Sequence, residues 1–468
     1  MRPPIPRSEG VSASPISVGQ FSSRCFFYCL YAGVEAKECI KIYLVSSKEE
    51  VGVSESFCID PVDLNGFFDE DGKIYGYNGL KITIWISSIT FHAYADITYK
   101  STSDGGKGIT DLKTSLQNIF ADTLVDSKDD FLQSFSAETD LIRSLISAGE
   151  MLQHKAANGH NGEFHSHLEG AASDLKVVRM VMGNDGAGLL YSRLIPLVLL
   201  LIDGSNPIDV VDPGWEIYVL VQGKKDEHET IQDRIVGFTA LYRFFHYPDK
   251  TRLRLSQILV LPPYQHKGYG RYLVEAVNNV AISEDVYDFT VEEPLDYFQH
   301  VRTCTDIQLL LAFDPIQDVV KSAVSTLKHG KLSKETHVPR FMPPSTAIDD
   351  VRKTLKINKK QFLQCWEILI YLGLHPEDKC MEDFVTIISN RVKTDILGKD
   401  SESQGKKVTE VPTDYDQEMS FVMFRSGNIE SHSVEMDENQ AKQKEQLQKM
   451  VDERVEEIKL IAQKLRPL

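Results

Sequence analysis

The chain has 468 residues, 42% apolar and 25% charged, which suits roughly two to four globular domains and excludes a wholly disordered or collagen-like polypeptide. Its net charge of −17 argues against a nucleic-acid coat, which needs excess Lys and Arg, and favours a basic partner such as a Lys-rich polypeptide. The longest apolar run, 194–202, is interrupted by Pro196 and is under half of the ~20 residues a spanning helix needs, so neither membrane nor nucleic acid is an expected partner.

Seven scattered cysteines without a CxxC pair read as reduced thiols, and no metal site is expected. Residues 1–36 read as a disordered tail, although 25–34 (CFFYCLYAGV) after Arg24 loosely resembles a signal-peptide apolar region. Residues 39–44 read as a strand. Glycines punctuate 65–81, and 80–89 and 91–99 alternate as strands. Helix-period positions over 110–153 complete a mixed α+β domain at 37–150.

From 191 the pattern sharpens into a helix (191–202) and three strands (215–222, 234–247, 252–261), the first two forming a hairpin. A glycine loop (265–270), a helix (271–282) and a last strand (287–292) follow, inside a core domain at 151–330 whose end (300–330) is helical. Helices at 347–354, 359–374 and 377–392 make a small helical domain at 331–397. Polar residues 398–440 read as a flexible linker, with MSFVMF (419–424) as a stray docking strand or a binding motif. In a final helix at 441–468, Leu447, Val451, Val455, Ile458, Ala462 and Leu465 form one apolar stripe. That stripe either folds back on the protein or meets a partner helix.

The loop Gln265-His266-Lys267-Gly268-Tyr269-Gly270 follows a strand and opens a helix, so its backbone N–H groups and the helix terminus form a phosphate cradle. A dinucleotide-binding loop needs a third glycine where Leu273 stands, and a Walker A loop needs a closing Gly-Lys-Ser/Thr that is absent. What remains is Gln/Arg-x-x-Gly-x-Gly/Ala, the pattern that takes the pyrophosphate of coenzyme A in GNAT acetyltransferases. Two acids close the last strand, and alternation places Glu292 with Thr290 on one face and Glu293 elsewhere. A lysine attacks a thioester only as its neutral amine, so a carboxylate raised toward neutral pH by burial could take its proton.

Five segments carry a closer resemblance: 75–82 (YGYNGLKI), 242–254 (YRFFHYPDKTRLR), 256–270 (SQILVLPPYQHKGYG), 288–294 (DFTVEEP) and 355–361 (LKINKKQ). Over about 37–395 the chain resembles the type B histone acetyltransferase catalytic subunit, and the tail after 398 resembles its plant branch more than its animal one. The resemblance implies an α+β / α/β fold: a GNAT acetyltransferase core with an N-terminal mixed α+β domain and a C-terminal helical domain. It implies acetyl-CoA as cosubstrate and direct transfer to tail lysines of newly made histone H4, which arrives with H3. It places the general base at Glu292, with Glu293 as a supporting acid and Asp203 as an auxiliary acid where relatives often have Glu. Backbone groups of Ile258, Leu259 and Val260 face the cofactor, and Gln265, His266, Lys267, Gly268, Tyr269, Gly270 and Arg271 form its pyrophosphate loop.

Glu70, Asp71, Tyr242, Arg243 and Phe244 match substrate-facing positions, and Trp215 packs either on peptide aliphatic stems or in the core. Arg243 stands where some relatives have a polar neutral residue; its charge is awkward opposite a basic peptide, so it either contacts through its backbone or points outward. Two cofactor contacts of relatives fall on Leu295 and Cys304 and do not carry over. The resemblance also implies a WD-repeat histone-binding subunit and residence in nucleus and cytoplasm. Two other readings stay open: a non-catalytic acyl-CoA-binding histone escort and a small-amine acetyltransferase. Cys304 also admits an acetyl-thiol reading, against that of an incidental buried thiol.

Overall fold

A computed structural model describes residues 33–53, 55–68, 72–104, 106–152, 175–225, 231–329, 341–375, 380–397 and 435–465. Glu70, Asp71, the apolar segment 25–34 (save its last two residues) and the island 419–424 lie outside the described residues. The chain falls into two compact units, one within Met1–Arg243 and Leu255–Leu273 and the other within Phe244–Arg254 and Val274–Leu468.

The first unit opens with β1 (Val34–Glu35) and a one-turn α1 (Ala36–Cys39), so structure begins inside the tail expected to run to 36. β2 (Ile40–Val45) and β3 (Phe57–Ile59) follow, with β4 (Lys73–Ile74) returning to pair β1 and β5 (Tyr77–Asn78) to pair β8 (Ser101–Thr102). β6 (Lys81–Ser87) and β7 (Ala93–Thr98) alternate as their sequences require, and β9 (Leu124–Val125) completes a sheet of order β3-β2-β6-β7-β9. Helices α2 (Leu112–Phe120) and α3 (Lys128–Ala137) pack on its strands, and α4 (Thr139–Ser147) packs against α3. Asp111 and Ser127 cap the first two, accepting N–H bonds from Thr114 and Asp130.

A second sheet holds β10 (Glu150–Leu152), β11 (Leu175–Val181), β12 (Trp215–Lys225), β13 (Ile231–His246), β14 (Lys250–Val260) and β15 (Phe289–Val291), in that order. Helix α5 (Asp185–Leu201) starts at the Asn184 cap and holds Pro196 in its interior. The boundary expected at 150 does not separate two cores. Ile84, Leu116 and Ile146 share one cluster with Val178, Leu194, Ile217, Phe238 and Leu259, because both sheets bury an apolar face against α2, α4 and α5.

In the second unit, α6 (Tyr269–Ser283), which begins in the first, leads to β15. There follow α7 (Asp296–Leu311), α8 (Asp314–His329), α9 (Ser345–Leu355), α10 (Lys359–Gly373), α11 (Cys380–Leu397) and α12 (Glu435–Leu465). The boundary expected at 330 is also overrun, since Ile307 and Ile316 share a core with Val351, Trp366 and Ile388. Helix α12 starts six residues before the expected 441 and lays its stripe into that core: Val451, Ile458, Ile461 and Ala462 are buried. The helix therefore folds back on the protein. Its Arg454 reaches the buried Glu367 at 2.8 Å, and Arg391 bonds the same carboxylate. Among the described residues no helix is long and apolar enough to cross a membrane.

Removing one partner of a buried ion pair leaves the other charge unpaired in the interior. Arg454→Ala is expected to lower the unfolding free energy by about 3–5 kcal/mol in urea titration, with early amide exchange across α12. A change under about 1 kcal/mol, the scale of a surface pair, would contradict the packing described.

Candidate active site

The cofactor-facing residues expected from sequence lie together at the end of β14 and in the turn that follows. Ile258 and Val260 are half-buried on one face, while Leu259 is buried on the other, so Leu259 can offer only backbone. Pairing of β12 with β13 slips by one residue: Leu220 opposes Gly237 and Val221 opposes Ile235, which leaves Val236 as a bulge. The carbonyl of Val236 accepts the N–H of Leu261 at 2.9 Å. A Cβ on Gly237 would stand 2.6 Å from the Leu259 carbonyl oxygen, so only glycine lets β13 come this close to β14. Glycine inside a long strand pattern is a signal of such a bulge, and sequence reading passed over it.

Beyond β14, the side chain of Gln265 donates to the Val260 carbonyl at 3.0 Å and ties the turn to the strand. His266 and Gly268 take left-handed backbone (φ 61° and 87°), and α6 begins at Tyr269. Left-handed residues just ahead of a helix turn successive N–H groups into one concavity, and the first helical N–H groups have no intrahelical acceptor. Backbone so arranged is able to cradle an anion. Gln265 and His266 are exposed, and Lys267, Gly270 and Arg271 are half-buried. Tyr269 differs: its ring is buried against Tyr264 and its hydroxyl accepts from Gln222 at 3.3 Å, so it offers the cradle only its N–H.

Asp203 is exposed in the turn after α5. A buried amide that sequence reading missed fixes this turn. Gln257 Nε2 donates to Ser205 Oγ and to the Asn206 carbonyl at 2.9 and 2.7 Å, and its Oε1 accepts the Tyr191 hydroxyl.

Among the expected substrate residues, Trp215 and Tyr242 face each other across β12 and β13 with rings edge-on, centroids 5.0 Å apart. A hydrogen bond to Asp212 holds the Tyr242 hydroxyl above its ordinary pKa. Trp215 also packs against the core, so packing takes most of its surface. Arg243 is no loose positive charge: its guanidinium bonds the buried Glu216, which also takes Arg179 at 2.5 Å and the Tyr218 hydroxyl at 2.7 Å. Burial pushes the Glu216 carboxyl up, but the bonds from Arg243, Arg179 and Tyr218 outweigh it and hold the group below its usual range.

In the second unit, Phe244 lies under the Arg254 guanidinium, 4.5 Å from its ring centroid. Strand β15 stops at Val291, one residue short of the expected end, and Glu292 and Glu293 form a bend before Pro294. Glu293 has φ 35°, which turns the chain out of the sheet. Both carboxylates are exposed, so the burial expected of the base from sequence is not present in the chain by itself. Thr290 Oγ1 donates to the Leu253 carbonyl. Leu295 and Cys304, where no cofactor contact is expected, sit before α7 and within it, and the Cys304 thiol lies 3.8 Å from His300 Nε2. Among the described residues no group of His, Cys, Asp or Glu side chains is arranged to hold a metal ion.

Glu216→Gln leaves two arginines without their shared anion. It is expected to cost about 3–5 kcal/mol of stability at neutral pH in denaturant titration. The folded value of Glu216 lies below its unfolded one, so its contribution is full above the ordinary carboxyl range and fades as pH falls through the lowered value. The difference between wild type and variant should therefore shrink in acid. A difference that stays constant down to the acid limit of folding would contradict the assignment.

Comparison with known proteins agrees with this geometry. The family model for the histone acetyl transferase HAT1 N-terminus matches residues 32–203, and that of the acetyltransferase (GNAT) family matches 212–296. A histone acetyltransferase type B catalytic subunit of Arabidopsis thaliana is 58% identical over 98% of this chain and 98% of its own length. One from Zea mays is 45% identical over 94% of this chain and 92% of its own. One from Dictyostelium discoideum is 27% identical over 76% and 68%. With the strand order, the bulge and the glycine cradle in place, the chain belongs to the histone acetyltransferase type B catalytic subunits, GNAT-fold acetyltransferases.

Proposed function

We propose that this enzyme transfers acetyl from acetyl-CoA directly to lysines in the N-terminal tail of newly made histone H4, with Glu292 as general base. The observation that carries the cofactor half is the cradle: left-handed His266 and Gly268 running into the first turn of a 15-residue helix. The pyrophosphate would sit on those N–H groups. The backbone of Ile258–Val260 would hold the thioester and pantetheine arm, with an N–H available to the carbonyl oxygen as negative charge develops.

Glu292 would accept the proton of the incoming ammonium, and the neutral amine would attack the thioester carbon. The tetrahedral intermediate then collapses: the C–S bond breaks, the nitrogen's remaining extra proton passes to the departing coenzyme A thiolate, and acetyl goes straight to the lysine with no acetyl-enzyme. Glu292 is open to solvent in the free chain, and docking of the substrate would supply the water exclusion a base of this kind needs. Glu293 and Asp203 would add negative charge that draws in the basic tail. The net charge of −17 acts in the same sense over longer range. Family resemblance extends the proposal to H4 delivered with H3, to a WD-repeat histone-binding subunit, and to work in both nucleus and cytoplasm.

Glu292→Gln should lower kcat on an H4 tail peptide by about 10²–10⁴-fold near neutral pH. The deficit should narrow as pH climbs toward the ~10.4 of a free lysine, because the amine then loses its proton unaided. Equal rates for both proteins at every pH would refute the base assignment. For the cradle, Gly268→Ala forces a side chain into left-handed backbone at about 1–2 kcal/mol and should weaken acetyl-CoA binding about tenfold by calorimetry. At Gly270 a Cβ would meet only Val260 Cγ2, at an ordinary 3.7 Å, so Gly270→Ala should bind nearly as wild type. The reverse ranking would contradict the cradle.

A further inference from the structure

Strand β15 is only three residues long, and a strand that short holds its place weakly through its own ladder. A segment of the helical region supplies more. Lys356, in left-handed backbone at the end of α9, accepts the Phe289 N–H on its carbonyl at 2.7 Å. Ile357 is buried and forms a parallel bridge with Phe289. Asn358 bonds in two directions: Oδ1 caps α10 by accepting the Gln361 N–H at 3.0 Å, and Nδ2 donates to the Phe289 carbonyl at 3.3 Å. The buried Arg302 donates to that same carbonyl at 3.1 Å. Both backbone groups of Phe289 are thus held from this side. Nearby, Lys356 Nζ meets Asp285 at 2.6 Å and Arg252 bonds Asp288 at 2.7 Å.

We infer that Lys356-Ile357-Asn358 is a positioning clamp for the acetyl transfer: it fixes Phe289 so that Glu292, three residues on, leaves the sheet at one point and in one direction. The clamp touches no reacting atom and acts through the strand. It gives a function to the 355–361 motif, which the chemistry of the cradle and the base does not use. The inference rests on Glu292 being the base, and misplacing a reacting group by about 1 Å can cost about 10²-fold in rate.

The test is a double-variant comparison on the full chain with acetyl-CoA and H4 peptide. Asn358→Asp keeps the helix cap, since Asp caps as well as Asn, but puts a carboxylate oxygen where the amide donates to Phe289. In the otherwise unchanged protein it should lower kcat about tenfold and leave the acetyl-CoA KM within about twofold. On top of Glu292→Gln it should cost less than about twofold, because the group it positions is already gone. Equal losses in both backgrounds would mean a merely structural role and overturn the clamp, as would an unchanged kcat in the single variant. Full activity of Glu292→Gln alone would remove the base, and the clamp with it, and is read from that variant before Asn358 is considered. Thermal unfolding checks that Asn358→Asp folds. If it does not, Asn358→Ser, which also caps, takes its place with the same criteria.

Discussion

The close approach of β13 to β14 at Gly237 is the constraint on which the cofactor-facing edge depends. A bulged Val236 and an absent side chain let the Leu259 carbonyl come within a distance that no other residue would permit. That approach sets where β14 ends, and the end of β14 sets where the turn begins. Gln265 then ties the turn to Val260, and two left-handed residues aim the N–H groups of the following helix. Each step is local, and each rests on the one before it. A cradle of this kind is built from backbone N–H groups and requires no charged side chain.

The same economy appears in how each unit handles buried charge. In the first, Glu216 is shared between Arg179 and Arg243; in the second, Glu367 is shared between Arg391 and Arg454. A lone buried carboxylate would be expensive, and two guanidiniums beside it offset its charge. Each arrangement has a consequence for the enzyme. Pairing with Glu216 removes an awkward positive charge from a strand expected to face a basic peptide. Pairing with Glu367 joins a helix from the chain's far end to the helical core.

Much of this was legible in the sequence. Apolar alternation and a glycine loop between a strand and a helix were enough to order the central elements and to place the turn ahead of α6. The stripe on the last helix, together with the blocks such as DFTVEEP, pointed to packing and to family. What escaped were pairings between residues remote in the chain, which leave no periodic trace. Nothing in the local sequence tells that Arg243 meets Glu216, that Gln257 pins the turn after α5, or that Asn358 reaches Phe289. The shared cores across positions 150 and 330 were equally hidden, because the apolar faces on either side meet only in the folded chain. The exposure of Glu292 could not be read from alternation either, because Glu293 turns the chain out of the strand there.

The central claim is that one chain combines a coenzyme A cradle with a carboxylate base to acetylate a histone tail. The most direct measurement is mass-spectrometric mapping of acetyl-lysines on intact histone H4 after incubation with the purified protein and acetyl-CoA. Acetyl groups confined to a few lysines of the N-terminal tail, and absent without acetyl-CoA, are the predicted result. Histone H4 that is bound by the protein yet carries no acetyl-CoA-dependent product would contradict the claim and leave the chain as an escort rather than a catalyst.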